Sequence, residues 1–149
     1  MLTERNLKHN MKKLLLSFLF VAAATVFMAR ANAQLVIANN SVKASDVSKS
    51  DLRDVFTGAS ASLADGSHVV PVLQKSGAAH ESFLSTYVGK SDTALAATWR
   101  SLVFSGQRSM PKSIDSDAAV VDYVAKTPGA IGYIAKTSPH AGVKVLAIK

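Results

Sequence analysis

Short apolar runs alternate with helical hydrophobic patterns along residues 34–149. Four runs rich in Val, Ile, Leu and Ala predict strands at 35–40, 68–73, 130–135 and 143–148. Segments with apolar residues three or four positions apart predict helices beginning near residues 51, 80, 93 and 117. Strands separated by helices predict an α/β domain around a sheet, and the two helices between the second and third strands allow a mixed sheet.

Capping and turn residues mark several boundaries. Ser48, with Asp51 three positions later, resembles a capping box, and Gly58 is a typical helix stop. Pro71 predicts an edge position or a strand end, and Gly132 predicts a close approach by another backbone. Two segments have no regular pattern and are predicted to be a linker, at 42–50, and a loop, at 107–113.

The segment Gln74–Phe83 is the first candidate for chemistry. It joins a predicted strand to a predicted helix through small residues, and the unpaired N–H groups at a helix start favour an anion. Lys75 would add a charge and Ser76 a hydroxyl. The simpler alternative is an ordinary strand-to-helix turn with a solvated lysine. The candidate oxyanion site consists of Lys75, Ser76, Gly77, Ala78, Ala79 and His80.

The first 33 residues have the pattern of a secretory signal peptide. Lys12 and Lys13 precede a 16-residue uncharged apolar run, and Ala31-Asn32-Ala33 matches an A-x-A cleavage site. The run is shorter than the roughly 20 residues that span a bilayer, so cleavage after Ala33 is favoured over a membrane anchor. The alternative start at Met11 would remove a polar extension. We therefore predict a signal peptide at 1–33 and a single periplasmic domain at 34–149.

Charge and cysteine content narrow the possible partners. The chain has 17 basic and 10 acidic residues, but five basic residues and one acidic residue fall in the leader, which leaves +3 on residues 34–149. The basic residues are scattered, so we expect no nucleic-acid partner. The chain contains no cysteine, so the core must hold the fold without disulfides and no lipid-modified cysteine follows the leader.

Other candidate chemistries are weaker. Ser76 and His80 share a helical face and Glu81 follows, but a hydrolase needs a positioned third member. The histidines are dispersed, so we expect no metal site, no cofactor and no enzymatic activity. Trp99 and Tyr133 are predicted to be core or surface aromatics rather than stacking platforms.

Several segments of residues 34–149 together resemble the PstS-type phosphate-binding proteins of the type 2 periplasmic binding protein superfamily. The two most specific segments are a helix ending in F-x-G and the sequence P-G-A-I-G-Y. The matching segments, in order, are Val36–Asn39, Leu52–Gly58, Asp65-Gly66, Val70–Val72, Phe83, Trp99, Phe104–Gly106, Pro111 and Pro128–Tyr133.

The resemblance implies one lobe of a two-lobed fold, the uninterrupted one, with half of a ligand site. Family members carry a motif such as R-x-x-x-S-G-T-R-x-x-F before the matching Phe. Alignment on Phe83 places Gly77–His80 at the Ser-Gly-Thr-Arg positions. A shift of one residue matches Ser76-Gly77 to the Ser-Gly pair and leaves Ala78 at the Thr position. Lys75 is the candidate replacement for the arginine charge, as a point charge rather than a bidentate fork.

Two functions follow from the resemblance. The first is an exported solute-binding-like protein, related to phosphate ABC transporter substrate-binding proteins, that binds phosphate or another oxyanion weakly. The alternative is a periplasmic interaction or dimerisation module, in which the exposed face of the lobe binds a protein partner or a second copy.

Overall fold

A computed structural model describes residues 33–149, which form a six-stranded sheet flanked by helices. Its strand order is β2-β6-β1-β5-β3-β4. Strand β1 is antiparallel to both neighbours, whereas β3 is parallel to β4 and β5, and β2 is parallel to β6. The predicted mixed sheet is therefore confirmed. The strands are β1 (Gln34–Ala38), β2 (Asp46–Val47), β3 (Val70–Gln74), β4 (Lys112–Ile114), β5 (Ala130–Ala135) and β6 (Lys144–Ile148).

Local sequence signals explain where the helices begin and end. Ser48 caps the first helix by accepting the Asp51 N–H at 3.0 Å, and Gly58 ends it with φ 82°. Gly89 ends the second helical segment with φ 70°. The helices are α1 (Lys49–Thr57), α2 (Ala78–Phe83) with a following π-helical turn (Leu84–Val88), α3 (Asp92–Phe104) and α4 (Asp117–Lys126).

Two short strands occupy segments predicted to be irregular. Strand β2 lies inside the predicted linker, and β4 begins within the predicted loop. Each contains one buried residue, Val47 or Ile114, so neither produces a detectable alternation. Both predictions were wrong because these strands are defined by their partners. Pro71 is the second residue of β3, an interior strand, so the strand-end alternative holds and the edge alternative does not.

Hydrophobic residues cover both faces of the sheet. On one face, Phe56, Phe83 and Tyr133 are fully buried among residues of α1 and α2. On the other face, Val120 and Val124 of α4 pack against the sheet. A Cβ on Gly132 would lie 3.1 Å from Val120 Cγ1, so the predicted close approach there is made by side chains rather than by a backbone.

The predicted signal peptide lies outside the described residues, except for Ala33. Within residues 33–149, every helix is too short or too polar to cross a bilayer.

Candidate functional site

The candidate oxyanion turn lies at the edge of the sheet where the parallel strands β3, β4 and β5 end. Lys75 follows the last residue of β3, and its N–H donates to the Ile114 carbonyl of β4 at 3.0 Å. Residues 75–78 are exposed, Ala79 is half-buried and His80 is buried. The structure therefore brings the six predicted residues together, but presents only the first part of the turn to solvent.

Gly77 gives the turn its shape. It precedes α2 with φ 110° and ψ 168°, a backbone conformation that residues other than glycine rarely adopt. It provides no side-chain cap, and a Cβ added there would meet nothing within 4 Å. Because the first N–H groups of a helix lack intrahelical acceptors, this open backbone offers donors to a ligand.

The charge of Lys75 is compensated locally. Its Nζ lies 3.0 Å from Asp115 Oδ1, and both side chains are exposed, at 56% and 76%. Asp115 immediately follows β4, so parallel pairing with β3 brings it beside the turn. An anion at the turn would compete with Asp115 for the lysine.

His80 points into the protein rather than toward the turn. Its Nδ1 lies 2.5 Å from the Tyr133 hydroxyl and its Nε2 lies 2.9 Å from Asp92 Oδ1. The Tyr133 oxygen accepts the Gln74 N–H at 2.9 Å, which leaves its proton for His80 Nδ1. With Nδ1 as the acceptor, the Nε2–H group donates to Asp92 Oδ1.

Tyr133 consequently joins the two ends of the turn. Its hydroxyl contacts Gln74, the residue before Lys75, and His80, the residue after Ala79. Burial raises the pKa of this hydroxyl above its usual value, which keeps the donor protonated. The ring also stacks on Phe83, with centroids 3.9 Å apart. These contacts fix the spacing between the start and the end of the turn.

The Gln74 side chain links the hydrogen bonds around Tyr133 to the start of α4. Its Nε2 donates to the Tyr133 carbonyl at 2.8 Å and to Asp117 Oδ1 at 2.7 Å. Asp117 Oδ2 accepts from the Ala135 N–H at 3.0 Å and from the Ser138 hydroxyl. Buried polar groups therefore have partners on β3, β5 and α4, as a stable interior requires.

In the hydrolase hypothesis, His80 would be the base that activates Ser76. In the structure, the His80 imidazole has two other partners. Nδ1 is hydrogen-bonded to the Tyr133 hydroxyl and Nε2 to Asp92 Oδ1. A histidine bound in this way has no free nitrogen to accept a proton from Ser76.

Sequence reasoning missed the residues around the turn. Asp92 shares no sequence motif with His80 and lies 12 positions from it. Tyr133 lies 53 positions from His80. Asp115 was missed because β4, the strand whose pairing places it beside the turn, was not predicted. The available signal was Tyr133 itself, since a tyrosine in a strand of otherwise apolar residues needs a partner for its hydroxyl.

Comparisons with known proteins now define the fold. No protein-family model and no curated protein matches the sequence. Among solved structures, an ABC-type phosphate transport receptor from Vibrio cholerae matches with a TM-score of 0.61 and 15% identity, over 77% of this chain and 45% of that one. A putative phosphate ABC transporter substrate-binding protein with bound phosphate, from Clostridium perfringens, matches with a TM-score of 0.59 and 17% identity, over 77% and 44%.

PstS from Borrelia burgdorferi is similar to the same extent, with a TM-score of 0.59 and 18% identity, over 78% of this chain and 47% of that one. The chain thus spans less than half the length of these solved relatives. At such identities the likeness establishes the fold alone. The described residues have the fold of one lobe of a type 2 periplasmic binding protein, which confirms the predicted fold class.

Proposed function

We propose that this chain is an exported solute-binding-like protein that binds phosphate or a similar oxyanion weakly at Lys75, Ser76 and the amides of residues 77–80. The observation that carries the proposal is the open turn at Gly77, in a fold shared with a solved substrate-binding protein that holds phosphate. In this proposal Lys75 supplies charge, Ser76 a hydroxyl, and Gly77–Ala79 backbone donors. His80 contributes through its backbone and by holding the turn.

Weak affinity is expected for two reasons. The described residues include one lobe, so an anion at the turn keeps much of its hydration on the open side. Asp115 also competes with the anion for the Lys75 ammonium group. We expect micromolar binding or weaker, with ionic-strength dependence typical of exposed charges.

Calorimetric titration with phosphate, and with sulfate as the comparison anion, tests this function. We expect saturable binding that Lys75→Ala weakens. Lys126→Ala is the matched control, because Lys126 also forms an exposed ion pair, with Asp122 at 2.8 Å. Equal affinity for Lys75→Ala and the parent protein would remove Lys75 from the site, and no binding heat up to millimolar phosphate would contradict the function.

Export is a separate part of the proposal. The apolar run and the A-x-A sequence at 31–33 predict that the mature protein begins at Gln34 in the periplasm. N-terminal sequencing of protein from a periplasmic extract tests the prediction. A chain that retains its first residues in the cytoplasmic fraction would contradict it.

A second candidate function is association with a protein partner or a second copy. Phe104 is 96% exposed at the end of α3, and Val103 and Met110 are also exposed. Val103 and Phe104 are consecutive exposed apolar residues, a feature typical of interaction surfaces. Light scattering tests self-association. We expect Phe104→Ser to shift a dimer toward monomer, and a parent protein that stays monomeric at high concentration would limit the surface to other partners.

A further inference from the structure

We propose that a cavity at the opposite end of strands β3 and β4 from the turn binds a small organic anion with an apolar body. This cavity has a volume of about 790 Å³. Its walls come from residues 68–71 at the start of β3, residues 106–113 leading into β4, and parts of α3 and α4. The proposal is independent of oxyanion binding at the turn.

The position of the cavity separates it from the turn. Strands β3 and β4 are parallel, so the residues that precede both strands meet at one edge of the sheet and those that follow meet at the other. Val70 and Lys112 begin these strands beside the cavity, whereas Lys75 and Asp115 follow them at the turn. A ligand in the cavity would therefore not touch the turn.

The charges around the cavity favour an anion. Arg108, Lys112 and His68 line it, and none of its lining residues is Asp or Glu. Arg108 Nε donates to the Gly58 carbonyl at 3.0 Å, which holds the guanidinium in place and leaves its other N–H groups for a ligand. The ion pairs found among residues 33–149 involve neither Arg108 nor Lys112. The positive charge here is uncompensated, in contrast to that of Lys75.

The remaining walls favour an apolar body. Pro71, Met110, Pro111 and Tyr123 line the cavity, and Met110 is 53% exposed. Ser60, Gln107, Ser109 and Ser113 add hydrogen-bonding groups to the lining. A partly open cavity of several hundred cubic ångströms that combines apolar and polar walls suits a small organic ligand. An aliphatic or aromatic carboxylate fits both the charge and the walls.

Octanoate is a suitable probe, because it carries one carboxylate on an apolar chain and does not absorb where tryptophan does. Trp99 lines the cavity and is the only tryptophan of the chain, so its fluorescence reports on occupancy. We expect a saturable change in Trp99 emission when octanoate is titrated into the full chain, with matching heat by calorimetry. Octanamide, the neutral analogue, should bind at least tenfold more weakly.

Charge variants make the assignment specific. We expect Lys112→Gln to weaken octanoate binding at least threefold and Lys112→Glu to abolish it. Lys136→Gln removes a charge from an exposed lysine outside the cavity and should leave the affinity unchanged. Lys112 is itself exposed, so these variants should keep the parent melting temperature.

Four results would overturn the proposal, and the first three concern octanoate and its analogue. They are the absence of both heat and emission change with octanoate, equal binding of octanamide, and an unchanged affinity in Lys112→Glu. Competition by phosphate at concentrations that only saturate the turn would also overturn it, because it would place both anions at one site.

Discussion

The two ends of strand β3 differ in how backbone and charge are arranged. At the end that leads into the turn, the backbone is held by Tyr133 and the single lysine is paired with Asp115. At the other end, a cavity is lined by Arg108 and Lys112, with no carboxylate among its lining residues. One end is an open strand-to-helix turn whose lysine is paired, and the other is a cavity lined by basic residues that form no ion pair among the described residues.

The comparison shows that the backbone arrangement and the side-chain charges can favour anions at different ends of the same strand. The turn occupies a strand-to-helix junction, where oriented N–H groups favour anions whatever the side chains are. Electrostatic attraction depends on the sum of nearby charges, and Asp115 cancels much of the contribution of Lys75. At the turn, the arrangement of backbone N–H groups would be the main attraction for an anion. At the cavity, the charge of the basic side chains would be the main attraction.

The largest expected effect comes from Tyr133→Phe, which removes the hydroxyl that joins the two ends of the turn. It leaves the Gln74 N–H and the buried His80 Nδ1 without this partner, so we expect a loss of about 3 kcal/mol in unfolding free energy, from two unsatisfied groups. Urea denaturation measures it. Tyr87→Phe is the control, since it removes a hydroxyl from a half-buried ring on the π-helical turn. A loss no larger than that of the control would contradict the role of the Tyr133 hydroxyl in joining the two ends of the turn.

Alkaline pH should destabilise the protein through the same hydroxyl. Burial raises the pKa of Tyr133 above 10.0 in the folded state, so the unfolded chain releases this proton first. The stabilisation is complete below pH 10 and falls as pH rises above it, by at most about 1.4 kcal/mol per pH unit. Unfolding free energies measured between pH 8 and 11 test this, and Tyr133→Phe should have a shallower slope. Parallel curves for the two proteins would contradict the assignment.

Gly77→Ala should affect both stability and ligand binding at the turn. A side chain at φ 110° costs about 1–2 kcal/mol even though the space around it is open. Gly66→Ala is the control, because Gly66 has φ 83° and equally open surroundings away from the turn. We expect both variants to lower the melting temperature and only Gly77→Ala to weaken phosphate binding. Unchanged phosphate affinity would exclude the turn backbone from the site.

The smallest effect is expected from Asp115→Asn, which frees Lys75 from its ion pair. Exposed pairs contribute under about 1 kcal/mol, so phosphate affinity should rise roughly twofold to threefold, with little change in stability. Asp122→Asn, which frees the exposed Lys126, is the control. Equal affinities for the two variants would show that Asp115 does not compete with the anion.

Much of the fold could be predicted because its signals are local. The buried run at β5, the cap at Ser48 and the stop at Gly58 each depend on a few neighbouring residues. Strands β2 and β4 could not be predicted, since each has one buried residue and is defined by pairing with a distant strand. The predicted strand-to-helix turn is present between Gln74 and Ala78, and a ligand-binding role for its residues stays a prediction.

The sequence by itself determined the helices, the main strands and the position of the turn, because periodicity, caps and glycines act within a few residues. Only the tertiary structure decided what surrounds the turn. The Gln74 N–H meets a hydroxyl 59 positions away, His80 turns inward between Tyr133 and Asp92, and Asp115 reaches Lys75 through strand pairing. These contacts depend on the order of strands in the sheet, which local patterns do not encode.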